Sequence, residues 1–289
     1  MYELSNDILS VSIQAKGAEL QSIFNKDSKL EYMWSGDPAY WGKKSPVLFP
    51  IVGGLKNNKY HYKGVDYTLP RHGFAREKVF TVTDQSTNRI TFTLWDDAES
   101  IEVYPFHFRF SVTYELSENE LKVIYQVENT DTETLYFSVG AHPAFSVPMV
   151  KETEFTDFHL FFSDNETTEK WPLSDEGLIL NSPITFLEDS NTLPLTKELF
   201  YRDALVCKTL KSNSISIVSN KTQHGLQVTF YGFPYMGIWS AKNANFVCIE
   251  PWCGIADSID SSGDITQKEG IHSLMANKQF TRSWSVQVF

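Results

Sequence analysis

The stretch Phe106-His107-Phe108-Arg109-Phe110-Ser111-Val112-Thr113-Tyr114-Glu115 alternates without a break between bulky apolar and polar or charged residues. Side chains of a strand point to opposite faces in turn, so the pattern predicts a half-buried strand with Phe106, Phe108, Phe110, Val112 and Tyr114 turned to a core. Turn-forming Ser117-Glu118-Asn119-Glu120 follows, and then the apolar-rich run Leu121–Val127, which together read as an antiparallel hairpin. Val79–Thr83 with Ile90–Trp95, and Ser214–Val218 with Leu226–Phe230, repeat the arrangement. Helical periodicity is confined to short candidates at Leu195–Tyr201 and Gln267–Ala276, which disfavours a parallel sheet fed by crossover helices. The expected fold class is all-β. No linker rich in Pro, Gly or Ser divides the chain, so residues 1–289 are read as a single domain, with the polar run Ser163–Lys170 as an exposed loop.

Composition narrows the function classes. Charged residues make up 21% and aromatics 14%, a balance suited to strands and stacking surfaces and not to disorder. The net charge of −11 works against nucleic acid and anionic membranes as partners, while leaving room for a local cationic pocket. Small neutral substrates fit this balance. The first residues, Met1–Asp7, carry no basic patch leading into an apolar run, and no segment has the length of a bilayer span; a cytoplasmic location is expected. The three cysteines, Cys207, Cys248 and Cys253, lack Cys-x-x-Cys spacing and are read as packing thiols, although Cys253 lies close to the suspected site.

Two stretches carry chemistry. Phe246-Val247-Cys248-Ile249-Glu250-Pro251-Trp252-Cys253-Gly254 ends an apolar strand on a carboxylate and breaks at Pro251, since proline cannot donate to a ladder and biases its predecessor to extended backbone. Glu250 beside the flat ring of Trp252 suits sugar recognition, the oxygens meeting hydroxyls and the ring an apolar face. Ser138-Val139-Gly140-Ala141-His142-Pro143-Ala144-Phe145 repeats the device with an imidazole. Between them in kind stand Pro70-Arg71-His72-Gly73-Phe74-Ala75-Arg76 and Ser45–Gly54, and later Arg202-Asp203-Ala204-Leu205-Val206 and Phe233–Ser240.

Taken in order, these blocks resemble the aldose 1-epimerase (galactose mutarotase-like) family, and more closely its bacterial LacX-type branch, over nearly the whole chain. The resemblance implies a β-supersandwich of large antiparallel sheets with the site in a cleft on a concave face. It also implies an acid/base isomerase that needs no cofactor and no metal and acts on a small-molecule sugar. By motif position Glu250 would be the base, His142 the acid, and His72 the sugar-binding histidine. Arg76 is a candidate for sugar hydroxyls or a phosphate, with Arg71, Asp203 and Trp252 as further substrate contacts. Galactose-specific members carry an arginine in the block that reads Gly53-Gly54-Leu55-Lys56-Asn57-Asn58 here, where none is present. That departure shifts the expected recognition to Arg76, Arg71 or the Lys43-Lys44 pair, the last resembling the cationic loops of hexose-6-phosphate epimerases.

Other readings stay open on the sequence: a glycoside hydrolase or lyase, which usually requires a second carboxylate; a sugar-binding sensor without turnover; and a His72/His142/Glu250 metal site, which no short ligand spacing supports. The sugar, its phosphorylation state and the oligomeric state, monomer or homodimer, are left undetermined. The remaining histidines, His61, His107, His159, His224 and His272, read as structural or surface residues.

Overall fold

The computed structural model describes residues 1–289. The chain opens with an antiparallel meander of β1 (Tyr2–Ser5), β2 (Leu9–Gln14), β3 (Glu19–Asn25) and β4 (Leu30–Glu31), and continues with the hairpin β5 (Lys59–Tyr62) and β6 (Val65–Thr68). The strands β7 (Thr81–Gln85), β8 (Arg89–Trp95), β9 (Phe108–Ser117) and β10 (Glu120–Asn129) follow, with the short helix α1 (Ala98–Val103) between β8 and β9. Next come β11 (Leu135–Phe137), β12 (Val139–Gly140), β13 (Ala144–Ser146), β14 (Phe158–Lys170), β15 (Ile184–Pro194) and β16 (Leu205–Cys207). The last six are β17 (Ser214–Ser219), β18 (Thr222–Thr229), β19 (Tyr235–Trp239), β20 (Phe246–Cys253), β21 (His272–Leu274) and β22 (Gln279–Val288).

Nine strands form one antiparallel sheet in the order β15-β14-β17-β18-β22-β10-β9-β8-β7. The hairpin read from the sequence is β9 and β10, closed in register Ser117↔Glu120 by Glu118 and Asn119, with Glu118 in the left-handed region at φ 50°. Phe108, Phe110, Val112 and Tyr114 are buried as the alternation predicts. Ser111 and Thr113 on the other face are buried too, because a hydroxyl ladder covers them: Thr91 pairs with Thr113, and Thr83, Thr93 and Ser111 form a chain, each contact at 2.9 Å.

A smaller sheet carries the site. β20 lies at its centre, paired with β19 on one side and with the two short strands β12 and β13 on the other, while β16 flanks β19. Along β20, Val247, Ile249 and Cys253 join the main core, which draws residues from Leu4 to Val288; Phe246, Cys248, Glu250 and Trp252 face the opposite side. Both faces of β20 are thus covered, which is why its sequence is a near-continuous apolar run.

Three local expectations change. Ser163–Lys170 is the second half of β14, paired with β15 across register shifts; its polar composition reflects solvent on one face of a ladder, not a loop. Leu195–Tyr201 forms only a 3-10 turn over Lys197–Phe200. Gln267–Ala276 is not helical: a 3-10 turn ends at Gln267, Gly270 takes a left-handed φ of 72°, and β21 then pairs with β11. No helix is long and apolar enough to cross a membrane.

Candidate active site

Strand β20 does not stop at Pro251 as the sequence suggests, but runs through it to Cys253. Its neighbour is what breaks: β13 pairs with Phe246–Cys248 and β12 with Trp252–Cys253, leaving Ala141-His142-Pro143 to cross between them. Pro251 O accepts from Ala141 N at 3.0 Å, so the side of Pro251 where an N–H would lie faces that interruption. The same gap frees His142 from the ladder and turns its ring to Glu250. His142 Nε2 lies 3.4 Å from Glu250 Oε2, and both side chains are almost wholly buried. Trp41 stacks on the imidazole at 4.8 Å, while Trp239 and His72 approach it edge-on at 5.5 and 5.7 Å.

These residues form the floor of a cleft of about 590 Å³. All seven site residues read from the sequence, Arg71, His72, Arg76, His142, Asp203, Glu250 and Trp252, line it, as do Trp41, Trp239, Arg202 and Lys242. Burial penalises charge on both members of the central pair. It raises the Glu250 carboxyl well above the carboxylate range, an effect that Arg71 and the Trp252 N–H oppose and Asp203 reinforces. It lowers His142 to about 3, with Arg76 acting in the same direction. Burial of both groups thus acts against the charged pair and toward the neutral one, in which a proton sits on the Glu250 carboxyl. Moving that proton to His142 gives a carboxylate and an imidazolium with no change in total charge.

His72 sits in the turn Pro70–Gly73 at φ 68°. Its backbone N–H donates to Gly53 O at 2.8 Å, and Gly53 N–H donates to its Nδ1 at 3.1 Å. Nδ1 is thereby an acceptor, so the neutral ring carries its proton on Nε2. Enclosure by protein, then His142, Arg76 and Arg71, hold its pKa well below the usual value, so His72 is a neutral donor. Gly53 has no room for a side chain: a Cβ would stand 2.5 Å from that of Ala256, which packs directly against it.

Arg71 Nη2 reaches Asp203 Oδ2 at 3.5 Å, lying over Gly177, where a Cβ would meet the guanidinium at 2.3 Å. Arg76 Nη2 donates to Arg71 O at 2.8 Å, which ties the two arginines together. Asp203 has φ 118° and accepts from Ala204 N at 2.7 Å, so one side chain holds both its own turn and Arg71. The lysine pair is not part of the site: Lys43 Nζ pairs with Glu77 at 2.8 Å, and Lys44 Nζ donates to Gln21 O at 3.0 Å. The three cysteines are buried and free. Burial pushes Cys253 up to about 11 and Cys207 to about 12, and raises Cys248 well above a normal thiol, so a thiolate nucleophile has no support. The residues that could hold a metal are His142, Cys248 and Glu250, whose donor atoms lie within 4.8 Å of one another; Cys248 stands where the sequence reading had His72.

The family model described as aldose 1-epimerase matches residues 1–272 of this chain. The chain belongs to the aldose 1-epimerase family. Protein LacX, chromosomal, of Lactococcus lactis subsp. lactis is 34% identical over 297 aligned residues that cover 99% of this chain and 98% of that protein. The crystal structure of a galactose mutarotase related enzyme from Lactobacillus acidophilus superposes with a TM-score of 0.96 at 38% identity, over 100% of this chain and 97% of that one. A galactose mutarotase-like protein from Lactobacillus casei gives 0.93 at 29% identity, each chain being covered in full. The all-β expectation and the large antiparallel sheets of the aldose 1-epimerase fold are thus found. In this member of the family the block Gly53–Asn58 supplies backbone, through Gly53 and His72, and not an arginine.

Several lining residues escape the sequence reading. Arg202 adjoins Asp203 in a block already singled out, and Lys242 lies just beyond Phe233–Ser240, so proximity was the available signal. Trp41 had none, because only the fold brings it to His142.

Proposed function

We propose that this protein interconverts the α- and β-anomers of an aldohexose, with Glu250 as base and His142 as acid. Glu250 carboxylate takes the proton of the anomeric hydroxyl while His142 imidazolium protonates the ring oxygen. The C1–O5 bond breaks, the electron pair staying on O5, and C1=O1 forms. After rotation about C1–C2 the steps reverse: the C5 hydroxyl returns its proton to His142 and re-forms the bond to C1, and Glu250 gives its proton back to O1. Each half-reaction only redistributes the one proton that the pair holds. The observation that carries this reading is the buried 3.4 Å approach of His142 and Glu250 at the floor of the family's cleft.

A second reading, an aldose phosphate as substrate, is favoured by the cations Arg71, Arg76, Arg202 and Lys242 on the cleft wall, against the acids Asp203 and Glu250. The protein is expected to speed the equilibration of freshly dissolved α-glucose or α-galactose, or a phosphorylated relative, above the buffer rate, followed by polarimetry or proton NMR. Glu250→Gln keeps the shape and removes the base, and a loss of ~10²-fold or more is expected. Binding of these sugars with no acceleration would instead make the protein a sugar sensor, and full activity in Glu250→Gln would remove Glu250 from the mechanism.

A further inference from the structure

Trp252 follows Pro251 on β20 and invites reading as a ring on which sugar stacks, yet only 6% of it is exposed. A stacking platform needs an open face, and this ring has none to spare. Glu250 and Trp252 are two apart on β20 and share a face; Gly237 of β19 is the register partner of Glu250, and Gly140 of β12 that of Trp252. Both partners are glycines, and the indole uses the space. A Cβ on Gly237 would stand 2.4 Å from the far edge of the six-membered ring, and one on Gly140 would stand 2.8 Å from Cδ1. Neither glycine has a left-handed φ, so backbone conformation is not what requires them. The indole is laid across three strands, reaching from its own position back to the one opposite Glu250. Leu48, Val52, Ile255 and Ala256 pack with it.

Two buried polar atoms at this spot make no hydrogen bond: Trp252 Nε1, and Glu250 Oε2, which has the His142 ring 3.4 Å away. A buried indole N–H without an acceptor is costly, as is a carboxylate oxygen without a donor. We propose that Trp252 is a positioning residue, its indole seated in the Gly140–Gly237 slot so that its N–H serves the Glu250 carboxylate while that group acts as base. This rests on the reading of Glu250 above. The N–H favours the ionised carboxyl, in the direction that opposes burial. It also leaves the sugar to be faced by other aromatics at the cleft, Trp41 and Trp239, which are more open.

The test is Trp252→Phe, which keeps an aromatic ring and removes only the N–H and part of the bulk. The turnover number is expected to fall about tenfold to a hundredfold, the loss of one hydrogen bond to a charged group, with KM changed less than twofold. The acid limb of the pH–rate profile should move to higher pH. Titration of the Glu250 carboxyl, followed by carbon-13 NMR with Glu250→Gln to assign it, should move the same way. That second readout does not need turnover, so a protein that fails to mutarotate any sugar overturns the enzymatic reading while the carboxyl titration still judges the role of Trp252. Unchanged turnover and titration with a raised KM would make Trp252 a sugar-stacking wall and overturn the proposal. Should Trp252→Phe melt far below the wild type, Gly140→Ala pushes on indole Cδ1, the atom bonded to Nε1, and must then reproduce the shifted carboxyl titration for the proposal to stand.

Discussion

At the scale of single residues, the two histidines of the cleft differ in what their nitrogens are committed to. His72 Nδ1 is held by Gly53 N–H, so the ring offers a fixed N–H and cannot take a proton without losing that bond. His142 has Nε2 facing Glu250 and a buried Nδ1 without a hydrogen-bond partner, so the ring is not committed to a backbone donor as His72 is. A donor that never titrates and a group that must titrate should fail differently. His142→Asn is expected chiefly to lower the turnover number, and His72→Asn to raise KM as well as slow turnover, measured by polarimetric initial rates. The reverse pattern would exchange their roles. Glu250 and His142 are legible in the sequence because each places a titratable group in an apolar run just before proline, where packing alone gives it no use. Lys43-Lys44 misleads for the opposite reason: their partners, Glu77 and Gln21, are distant in sequence and invisible to a local reading.

At the scale of elements, the wall Gly254–Asp257 is held by a buried staple that takes no part in the cleft's lining. Lys268 Nζ, buried, donates to Ile255 O at 2.7 Å and to Asp257 Oδ1 at 2.8 Å. Asp257 in turn accepts from Lys56 N through Oδ2 and donates its own N–H to Gly54 O, which locks this wall against the segment that carries Gly53. Lys268→Met leaves a buried carboxylate without its counterion and is expected to cost about 3–5 kcal/mol in urea denaturation. Lys268→Met with Asp257→Asn should recover part of that loss, since the unpaired charge is gone. Wild-type stability in the single variant would show the staple to be dispensable. The same segment explains an unreadable element. Gln267–Ala276 carries apolar residues at helical spacing, but Lys268 is drawn inward by Asp257 and Gly270 turns the chain, after which β21 finds β11. The hairpins, by contrast, are legible because neighbouring strands supply each other's pattern, whereas β14 and β15 are separated by a long connection and their ladder shifts register.

At the scale of the whole molecule, a chain of net charge −11 carries a cleft in which Arg71, Arg76, Arg202 and Lys242 face only Asp203 and Glu250. Remote negative charge is screened over about 10 Å at 0.1 M salt, while the contact of a phosphate with arginine on the cleft wall is screened less but still weakens as salt rises. A hexose phosphate is therefore expected to compete better than its neutral parent in inhibition assays, and added salt to narrow the difference. Equal competition by both at low salt would exclude an anion-selective cleft. The order of the large sheet has a consequence for how the molecule is born. β22 lies between β18 and β10, yet it is the last of the strands to leave the ribosome. Until it emerges, two four-stranded halves present bare edges to each other and cannot join. Trp284 and Val286, both part of the main core, arrive with it. The residues of the cleft are all synthesised by then, so the nascent chain carries a complete set of site residues before it has the strand that closes the large sheet.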